Sequence, residues 1–220
     1  IVRDDVFVRY VTPSEIKRGG LSVGFTGYPG NHHIGPEFQF GHVVGKAIKQ
    51  PVLLIKTAWG GKSLYKDFRP PSSGGEVGKY YRQMISEIKQ GLNQISVEFP
   101  NLNKHYELRG FVWFQGWNDM YNEEARDHYE QNLVNLIKDV RHELNAHNMP
   151  VVIGELGNGG EDVSENMKAI RNAQKNAAIN IPNAVFVKTT PFARPKEQSP
   201  NVGHGHHWFG NAESYFLIGN

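Results

Sequence analysis

Short apolar runs alternate along the chain with longer amphipathic stretches. The runs are rich in β-branched and aromatic residues, which is typical of buried strands in a parallel sheet. The amphipathic stretches repeat apolar residues three and four positions apart, which predicts helices with one buried face. This alternation predicts an α/β fold with a mostly parallel sheet and helices on both of its faces. The predicted parallel strands are 52–58, 110–114, 151–154 and 184–189, and the predicted helices are 37–50, 81–95, 129–144, 164–179 and 212–218.

The beginning of the chain departs from this pattern. Residues 5–11 and 21–25 predict two short strands joined through a Gly-Gly turn, which favours a surface hairpin over a place in the parallel sheet. A glycine-rich loop over residues 26–36 follows and contains His32 and His33. Without the hairpin, the predicted sheet has few strands for a fold of this kind.

Composition narrows the class of protein. We expect one domain over residues 1–220, since no linker, repeat or low-complexity tract divides the chain. Lys and Arg number 24 against 22 Asp and Glu, with no basic block, so we expect no nucleic-acid partner. No apolar run approaches membrane-spanning length, so we expect no membrane partner. The absence of cysteine excludes disulfide bonds, zinc–thiolate sites and thiol catalysis, and nothing in the sequence indicates an oligomeric state.

Three clusters combine glycines, amides and histidines. Trp59-Gly60-Gly61 and Gln115-Gly116-Trp117-Asn118-Asp119 each follow a predicted strand, and His204-Gly205-His206-His207 lies in a late loop. Ligands of open α/β sheets bind beyond the carboxyl ends of the strands. Acyl transfer from an ester needs a nucleophile, a base and donors for the developing oxyanion. Backbone amides of glycine and an amide side chain can act as such donors, and a histidine can act as the base.

These segments resemble a known family of hydrolases. Phe114-Gln115-Gly116 with Asn118-Asp119 resembles the third sequence block of SGNH-type hydrolases. Together with Gly35-Pro36-Glu37, the segment 54–64 and the closing segment 207–213, it resembles the sialate O-acetylesterase-like carbohydrate esterases, in order and over most of the chain. The resemblance implies a three-layer α/β/α, flavodoxin-like fold. It also implies removal of O-acetyl groups from carbohydrates by a serine–histidine mechanism, without cofactor or metal, in a secreted or periplasmic protein.

The resemblance also implies roles for single residues. His207 corresponds to the catalytic base, Gly60 or Gly61 to a backbone oxyanion donor, and Gln115 or Asn118 to a side-chain donor. Gly60 and Gly61 also fit an ordinary turn that needs positive φ. The aromatic residues expected to stack on sugar rings are Trp59, Tyr65, Trp117 and Trp208.

The acid of the catalytic set departs from the family pattern. The family usually has an acid three residues before the catalytic histidine, but this sequence has His204 there. Either the enzyme works as a dyad, or an acid such as Glu155 or Asp119 comes from elsewhere. For Asp119 we favour a role as N-cap of the following helix.

The family's nucleophile lies in an early Gly-x-Ser block, commonly Gly-Gln-Ser-Asn, after the first strand. We recognise no match to this block in the sequence, and Ser63 lacks the context of a nucleophile. With the small number of predicted strands, this predicts that a segment with a strand and the serine precedes Ile1. The chain is also expected to break off within a helix near Asn220. Two alternatives stay open: a non-catalytic relative that binds carbohydrates, and a metal-dependent hydrolase built on the histidine-rich loop.

Overall fold

Strands and helices alternate from the first helix onward in the computed structural model, which describes residues 2–30 and 32–220. The strands are β1 (Val6–Val11), β2 (Ile16–Gly20), β3 (Val52–Lys56), β4 (Phe111–Trp113), β5 (Val151–Gly154) and β6 (Ala184–Val187). The helices are α1 (Glu37–Ala47), α2 (Lys79–Asn93), α3 (Ile95–Glu98), α4 (Glu123–Glu143), α5 (Glu165–Asn180) and α6 (Ala212–Ile218). The predicted α/β class is therefore confirmed.

The chain divides into two compact units, each with its own sheet. Unit 1 comprises residues 2–30, 32–59, 87–106 and 194–220 among those described, and unit 2 comprises residues 60–86 and 107–193. The sheets have the strand orders β2-β1-β3 and β4-β5-β6. The expectation of a single domain over residues 1–220 stays a prediction. Within the described ranges, no helix is both long enough and apolar enough to cross a membrane.

Strand β1 is the central strand of the sheet in unit 1. It pairs antiparallel with β2 and parallel with β3, so that Val8 lies opposite both Gly19 and Leu54. The prediction of a surface hairpin was wrong, because β1 is buried between two neighbours in the sheet. The second strand was also misplaced. The turn in which Thr12 N donates to Glu15 O brings residues 16–20 opposite β1, instead of residues 21–25.

With β1 in the sheet, the described residues contain one more parallel strand than predicted. Parallel pairs join β1 with β3 in unit 1, and β4, β5 and β6 in unit 2. The sequence prediction omitted β1 from the parallel set, because its short length and the nearby glycines suggested a hairpin. A shortage of strands therefore gives no reason to expect a further strand.

Helices cover both faces of the sheet in unit 1. Helix α1 packs against β1 and β3, and Gly41 allows this approach because a larger side chain there would collide with Leu21. On the opposite face, α2 lies against the sheet, because a Cβ on Gly91 would come 3.0 Å from Arg9 Cδ and 3.1 Å from Ile55 Cδ1. Helix α6 packs on α1. These contacts form three layers within unit 1.

Unit 2 is built on three parallel strands and two long helices that pack on each other. Trp113, Ile153 and Phe186 lie side by side across the sheet. Each helix begins at a side-chain cap: Asn122 accepts from Ala125 N in α4, and Ser164 accepts from Met167 N in α5. The fully buried apolar side chains of α4 and α5 include Tyr129, Leu133, Leu136, Val140, Ile170 and Ala177.

The irregular segment 62–78 is fixed to unit 2 by specific hydrogen bonds. The Arg69 guanidinium donates to the carbonyl oxygens of Tyr65, Ser73 and Gly74 at 2.7 to 3.2 Å. The Ser72 backbone N–H donates to the Asp139 carboxylate on α4 at 2.7 Å. The segment that begins just after Gly61 is thereby held by several polar contacts.

Candidate active site

In unit 2, an unpaired amide side chain lies beside a glycine turn. Gly61 has φ +70°, a left-handed conformation that favours glycine. The Asn118 Nδ2 atom lies 3.9 Å from the position that a Cβ on Gly61 would occupy. Among the described residues, the Asn118 side chain has no hydrogen-bond partner. Gly61 and Asn118 therefore combine a backbone N–H and a free amide in one place.

The side-chain amide of Gln115, in contrast, has hydrogen-bond partners at both its nitrogen and its oxygen. Its Nε2 donates to Lys62 O at 2.9 Å and to Asp119 Oδ2 at 2.7 Å, and its Oε1 accepts from the Tyr129 hydroxyl at 3.2 Å. The orientation of the amide follows from these partners, because a carbonyl and a carboxylate can only accept. Both N–H groups of Gln115 are thus used within unit 2, whereas the amide of Asn118 is not.

Asp119 connects two loops of unit 2 through its buried carboxylate. The side chain is 0% exposed, and its oxygens accept from Leu64 N and Tyr65 N at 2.9 Å, in addition to Gln115. Burial raises the pKa of the Asp119 carboxyl, and the three N–H donors oppose this rise. The preferred prediction, an N-cap for the following helix, was wrong, because Asn122 caps α4 and leaves Asp119 free to cap the loop 62–65.

Ser22 and Ser63 each follow a glycine by two positions, and both hydroxyl groups are hydrogen-bonded to nearby residues. Ser63 Oγ donates to Asp67 Oδ2 at 3.1 Å and accepts from Lys66 N at 3.2 Å, which is the arrangement of a turn cap. Ser22, which follows Gly20 at the end of β2, donates to Val23 O at 3.3 Å. Sequence analysis missed Ser22, although Gly20-Leu21-Ser22 has the Gly-x-Ser spacing of the family's nucleophile block; it lacks the common Gly-Gln-Ser-Asn form.

In unit 1, His207 lies on a turn with unusual backbone geometry. The two residues after it, Trp208 and Phe209, both have φ 53° although neither is glycine. Asn211 Nδ2 donates to Trp208 O at 3.2 Å, and Asn201 N donates to Phe209 O at 2.8 Å. Left-handed non-glycine residues cost free energy and concentrate at functional sites. This turn therefore supports a functional role for His207.

The His207 imidazole lies among aromatic and basic rings. Its Nδ1 is 3.4 Å from the Tyr215 hydroxyl, and its ring meets the Tyr28 ring edge-on at 5.2 Å. The His206 ring lies 4.4 Å away and the His204 ring 6.4 Å away. Burial, together with the smaller effects of His206 and His204, lowers the pKa of His207 to about 4. His207 is therefore neutral at pH 7, the form that a general base requires.

The third acid candidate, Glu155, serves a structural purpose within unit 2. Its Oε2 accepts from Thr189 N at 2.8 Å, Thr190 N at 2.8 Å and Thr190 Oγ1 at 2.6 Å. These bonds hold the short helix Thr190–Phe192 at the end of β6. The Asp119 carboxylate likewise accepts hydrogen bonds, from Gln115, Leu64 and Tyr65.

The aromatic candidates differ in exposure. Within unit 2, Trp117 packs edge-on against Tyr121 at 6.3 Å, and Tyr121 is 68% exposed. Tyr65 carries the Arg69 guanidinium 5.0 Å above its ring. Within unit 1, Trp59 is half-buried, whereas Trp208 is 3% exposed, which argues against stacking of Trp208 on a sugar. Sequence analysis missed Tyr121, although its position two residues after Asp119 was a usable signal.

Among the described residues, the candidate site residues form no metal-binding group and line neither of two surface cavities. Residues 2–30 and 32–220 contain no group of three or more His, Asp or Glu side chains placed to hold a metal ion. Two surface cavities of about 260 Å³ and 590 Å³ lie near the carboxyl end of α5 in unit 2. Neither is lined by a residue of the predicted site.

The sequence matches a family of carbohydrate esterases over most of its length. The profile of the family described as "carbohydrate esterase, sialic acid-specific acetylesterase" matches residues 19–212, and the chain belongs to this family. A probable carbohydrate esterase of Arabidopsis thaliana is 28% identical over 81 residues, which is 37% of this chain and 29% of that protein. The chain thus matches less than a third of the length of this curated relative.

Two solved structures share the fold. An Arabidopsis thaliana protein superimposes with a TM-score of 0.63 and 16% identity, over 96% of this chain and 80% of that one. A carbohydrate acetylesterase from Xanthomonas citri superimposes with a TM-score of 0.68 and 14% identity, over 99% of this chain and 48% of that one. This chain therefore corresponds to about half of the bacterial protein. The predicted resemblance to sialate O-acetylesterase-like carbohydrate esterases is confirmed.

Proposed function

We propose that this protein removes O-acetyl groups from carbohydrates by a serine–histidine mechanism. Membership in the carbohydrate esterase family over residues 19–212 supports this function. The observation that carries the proposal is the free Asn118 amide beside Gly61 at φ +70°. Buried amides normally have a hydrogen-bond partner, and the half-buried Asn118 amide has none among the described residues. An amide left free beside a glycine N–H is suited to a ligand oxygen.

In the proposed reaction, Gly61 N–H and Asn118 Nδ2 bind the oxyanion. When the nucleophile attacks the acetyl carbonyl carbon, the carbonyl oxygen gains a negative charge in the tetrahedral intermediate. Two N–H donors at this position stabilise that charge more strongly than they stabilise the neutral ester oxygen. Gln115 and Asp119 would keep the loop 62–65 in place beside the donors, because their hydrogen bonds join these segments.

His207 is the proposed general base. Its neutral imidazole takes the proton of the serine hydroxyl as the Oγ–carbon bond forms, and returns it to the sugar oxygen as the ester bond breaks. This leaves an acetyl-serine and the free sugar hydroxyl. A water molecule then attacks the acetyl-serine with the same help from His207, which releases acetate and restores the serine.

The nucleophile in this proposal is a serine that precedes Ile1, in a block of the Gly-Gln-Ser-Asn type. Residues 1–220 contain no such block, and the hydroxyl groups of Ser22 and Ser63 have local partners. The same observation favours a second candidate function, a non-catalytic relative that binds acetylated carbohydrates through aromatic side chains of unit 2 such as Trp117 and the exposed Tyr121. The expectation of a secreted or periplasmic location stays a prediction.

Acetate release distinguishes the two functions. The natural full-length protein should release acetate from O-acetylated sugars, and residues 1–220 alone should not. Activity of residues 1–220 would contradict an upstream nucleophile, and Ser22→Ala and Ser63→Ala would then locate the true one. If the full-length protein releases no acetate from any O-acetylated sugar yet binds one, the esterase proposal fails in favour of the binding function.

A further inference from the structure

The hydroxyl group of Tyr215 lies at the Nδ1 side of the proposed base. Tyr215 is on α6, and its hydroxyl oxygen is 3.4 Å from His207 Nδ1, which is longer than the ~2.7–3.2 Å of most N–H···O hydrogen bonds. A histidine that takes a proton through Nε2 must carry its own proton on Nδ1. A hydrogen-bond acceptor at Nδ1 favours that tautomer and fixes the orientation of the ring.

No carboxylate takes this place among the described residues. Position 204 is a histidine, and no Asp or Glu side chain is hydrogen-bonded to His207 within residues 2–30 and 32–220. Glu155 and Asp119, the two acids suggested by sequence, accept hydrogen bonds from other groups of unit 2. The Tyr215 hydroxyl is therefore the available partner for Nδ1 within unit 1.

Tyr215 is suited to remain a neutral phenol. Burial raises the pKa of Tyr215, and the nearby Tyr28 and Glu37 raise it in the same direction. Glu37 itself is paired with Lys56, whose Nζ lies 2.8 Å from its Oε1. The hydroxyl thus has a lone pair for an N–H donor and carries no charge.

We propose that Tyr215 is the positioning residue of His207, and that its phenolic oxygen accepts the Nδ1–H bond in place of a carboxylate. This inference rests on the proposed function. A neutral acceptor selects the tautomer in the same way as a carboxylate, but it stabilises the imidazolium much less, since it has no opposite charge. The base is then correctly oriented but weak, which distinguishes this chain from a complete Ser-His-Asp arrangement.

The opposite hydrogen bond gives a different tautomer, which makes the proposal testable. If the Tyr215 hydroxyl donates to Nδ1, the imidazole proton lies on Nε2 and His207 cannot act as the base through that nitrogen. Long-range ¹H–¹⁵N NMR of the ¹⁵N-labelled full-length protein at neutral pH distinguishes the two tautomers of His207. We expect the proton on Nδ1 in the wild type. A wild-type proton on Nε2 overturns the proposal without any substitution.

Two matched variants test whether the hydroxyl is responsible. Tyr215→Phe removes only the hydroxyl, and we expect His207 to shift towards the Nε2–H tautomer that free imidazole side chains favour in water. Tyr106→Phe removes the hydroxyl of an exposed tyrosine elsewhere in unit 1, and we expect the tautomer to stay unchanged. An unchanged tautomer in folded Tyr215→Phe, checked by its melting temperature, contradicts the proposal.

Kinetics separate this inference from the function on which it rests. In Tyr215→Phe we expect kcat for acetate release to fall by about ten- to a hundredfold with KM nearly unchanged, because only the protonation state of the base changes. If the wild-type protein releases no acetate, the proposed function fails, while the NMR experiment still decides the role of Tyr215. Full kcat in a folded Tyr215→Phe variant with a shifted tautomer would contradict the positioning role.

Discussion

Gln115 Nε2 donates to Asp119 Oδ2 at 2.7 Å, and this contact is part of a buried junction between two loops of unit 2. The same carboxylate accepts from the backbone of Leu64 and Tyr65. Asp119→Ala should lower the free energy of unfolding by about 2–4 kcal/mol, because unsatisfied buried polar groups cost about 1–3 kcal/mol each. Urea unfolding measures this loss. The exposed Asp127→Ala should stay within about 0.5 kcal/mol of the wild type; equal effects of both variants would contradict a structural junction at Asp119.

The adjacent glycines at the proposed donor site should respond differently to alanine. Gly61 has φ +70°, so Gly61→Ala should destabilise the protein by about 1–2 kcal/mol through backbone strain. Gly60 does not have positive φ, and a Cβ there would meet no atom within 4 Å, so Gly60→Ala should have little effect on stability. Thermal unfolding of both variants tests this difference. A larger loss for Gly60→Ala would show that the turn is assigned incorrectly.

The pH dependence of catalysis should reveal the low pKa of His207. Burial and the neighbouring histidines lower this pKa to about 4, so the neutral base is present above that pH and lost below it. Under this assignment, kcat/KM should rise with pH, reach half its maximum near pH 4 and stay high through neutral pH. The measurement needs an acetyl ester that is stable to acid. A half-maximum near the ordinary histidine value of about 6.5 would contradict a pKa of His207 lowered by burial.

A buried ion pair in unit 1 should contribute far more than an exposed one in unit 2. Arg9 and Glu98 are 1% and 2% exposed, with Arg9 Nε 2.7 Å from Glu98 Oε2. Glu98→Ala leaves Arg9 buried without its counter-charge and should destabilise the protein by about 3–5 kcal/mol. Glu107→Ala breaks the exposed pair with Arg109 and should cost less than about 1 kcal/mol. Chemical unfolding compares them, and a similar cost for both would contradict the burial of Arg9.

Sequence patterns predicted the helices and the parallel strands of unit 2 because these elements have clear periodicity. The start of α4 was less predictable: its first turn, 123–126, is polar, and only the Asn122 cap marks it. Strand β1 was misassigned for a different reason. Its pairing with β3 joins residues far apart in the chain, and such contacts leave no local pattern.

The site was predictable in its residue types but not in its hydrogen bonds. The sequence placed Gln115 and Asn118 equally well as oxyanion donors, since both are amides after a strand. Only the fold shows that Gln115 is engaged by Lys62 and Asp119 while the amide of Asn118 is free. Tyr215 carries no signal in the sequence, because α6 alone brings its hydroxyl to His207.

The most direct test is the rate of acetate release by three variants of the natural full-length protein on one O-acetylated sugar. His207→Ala should abolish nearly all turnover, and Asn118→Ala should lower kcat by about a hundred- to a thousandfold with KM nearly unchanged. Asn172→Ala, an exposed amide on α5, should match the wild type. Wild-type rates in both His207→Ala and Asn118→Ala would contradict the proposed esterase mechanism.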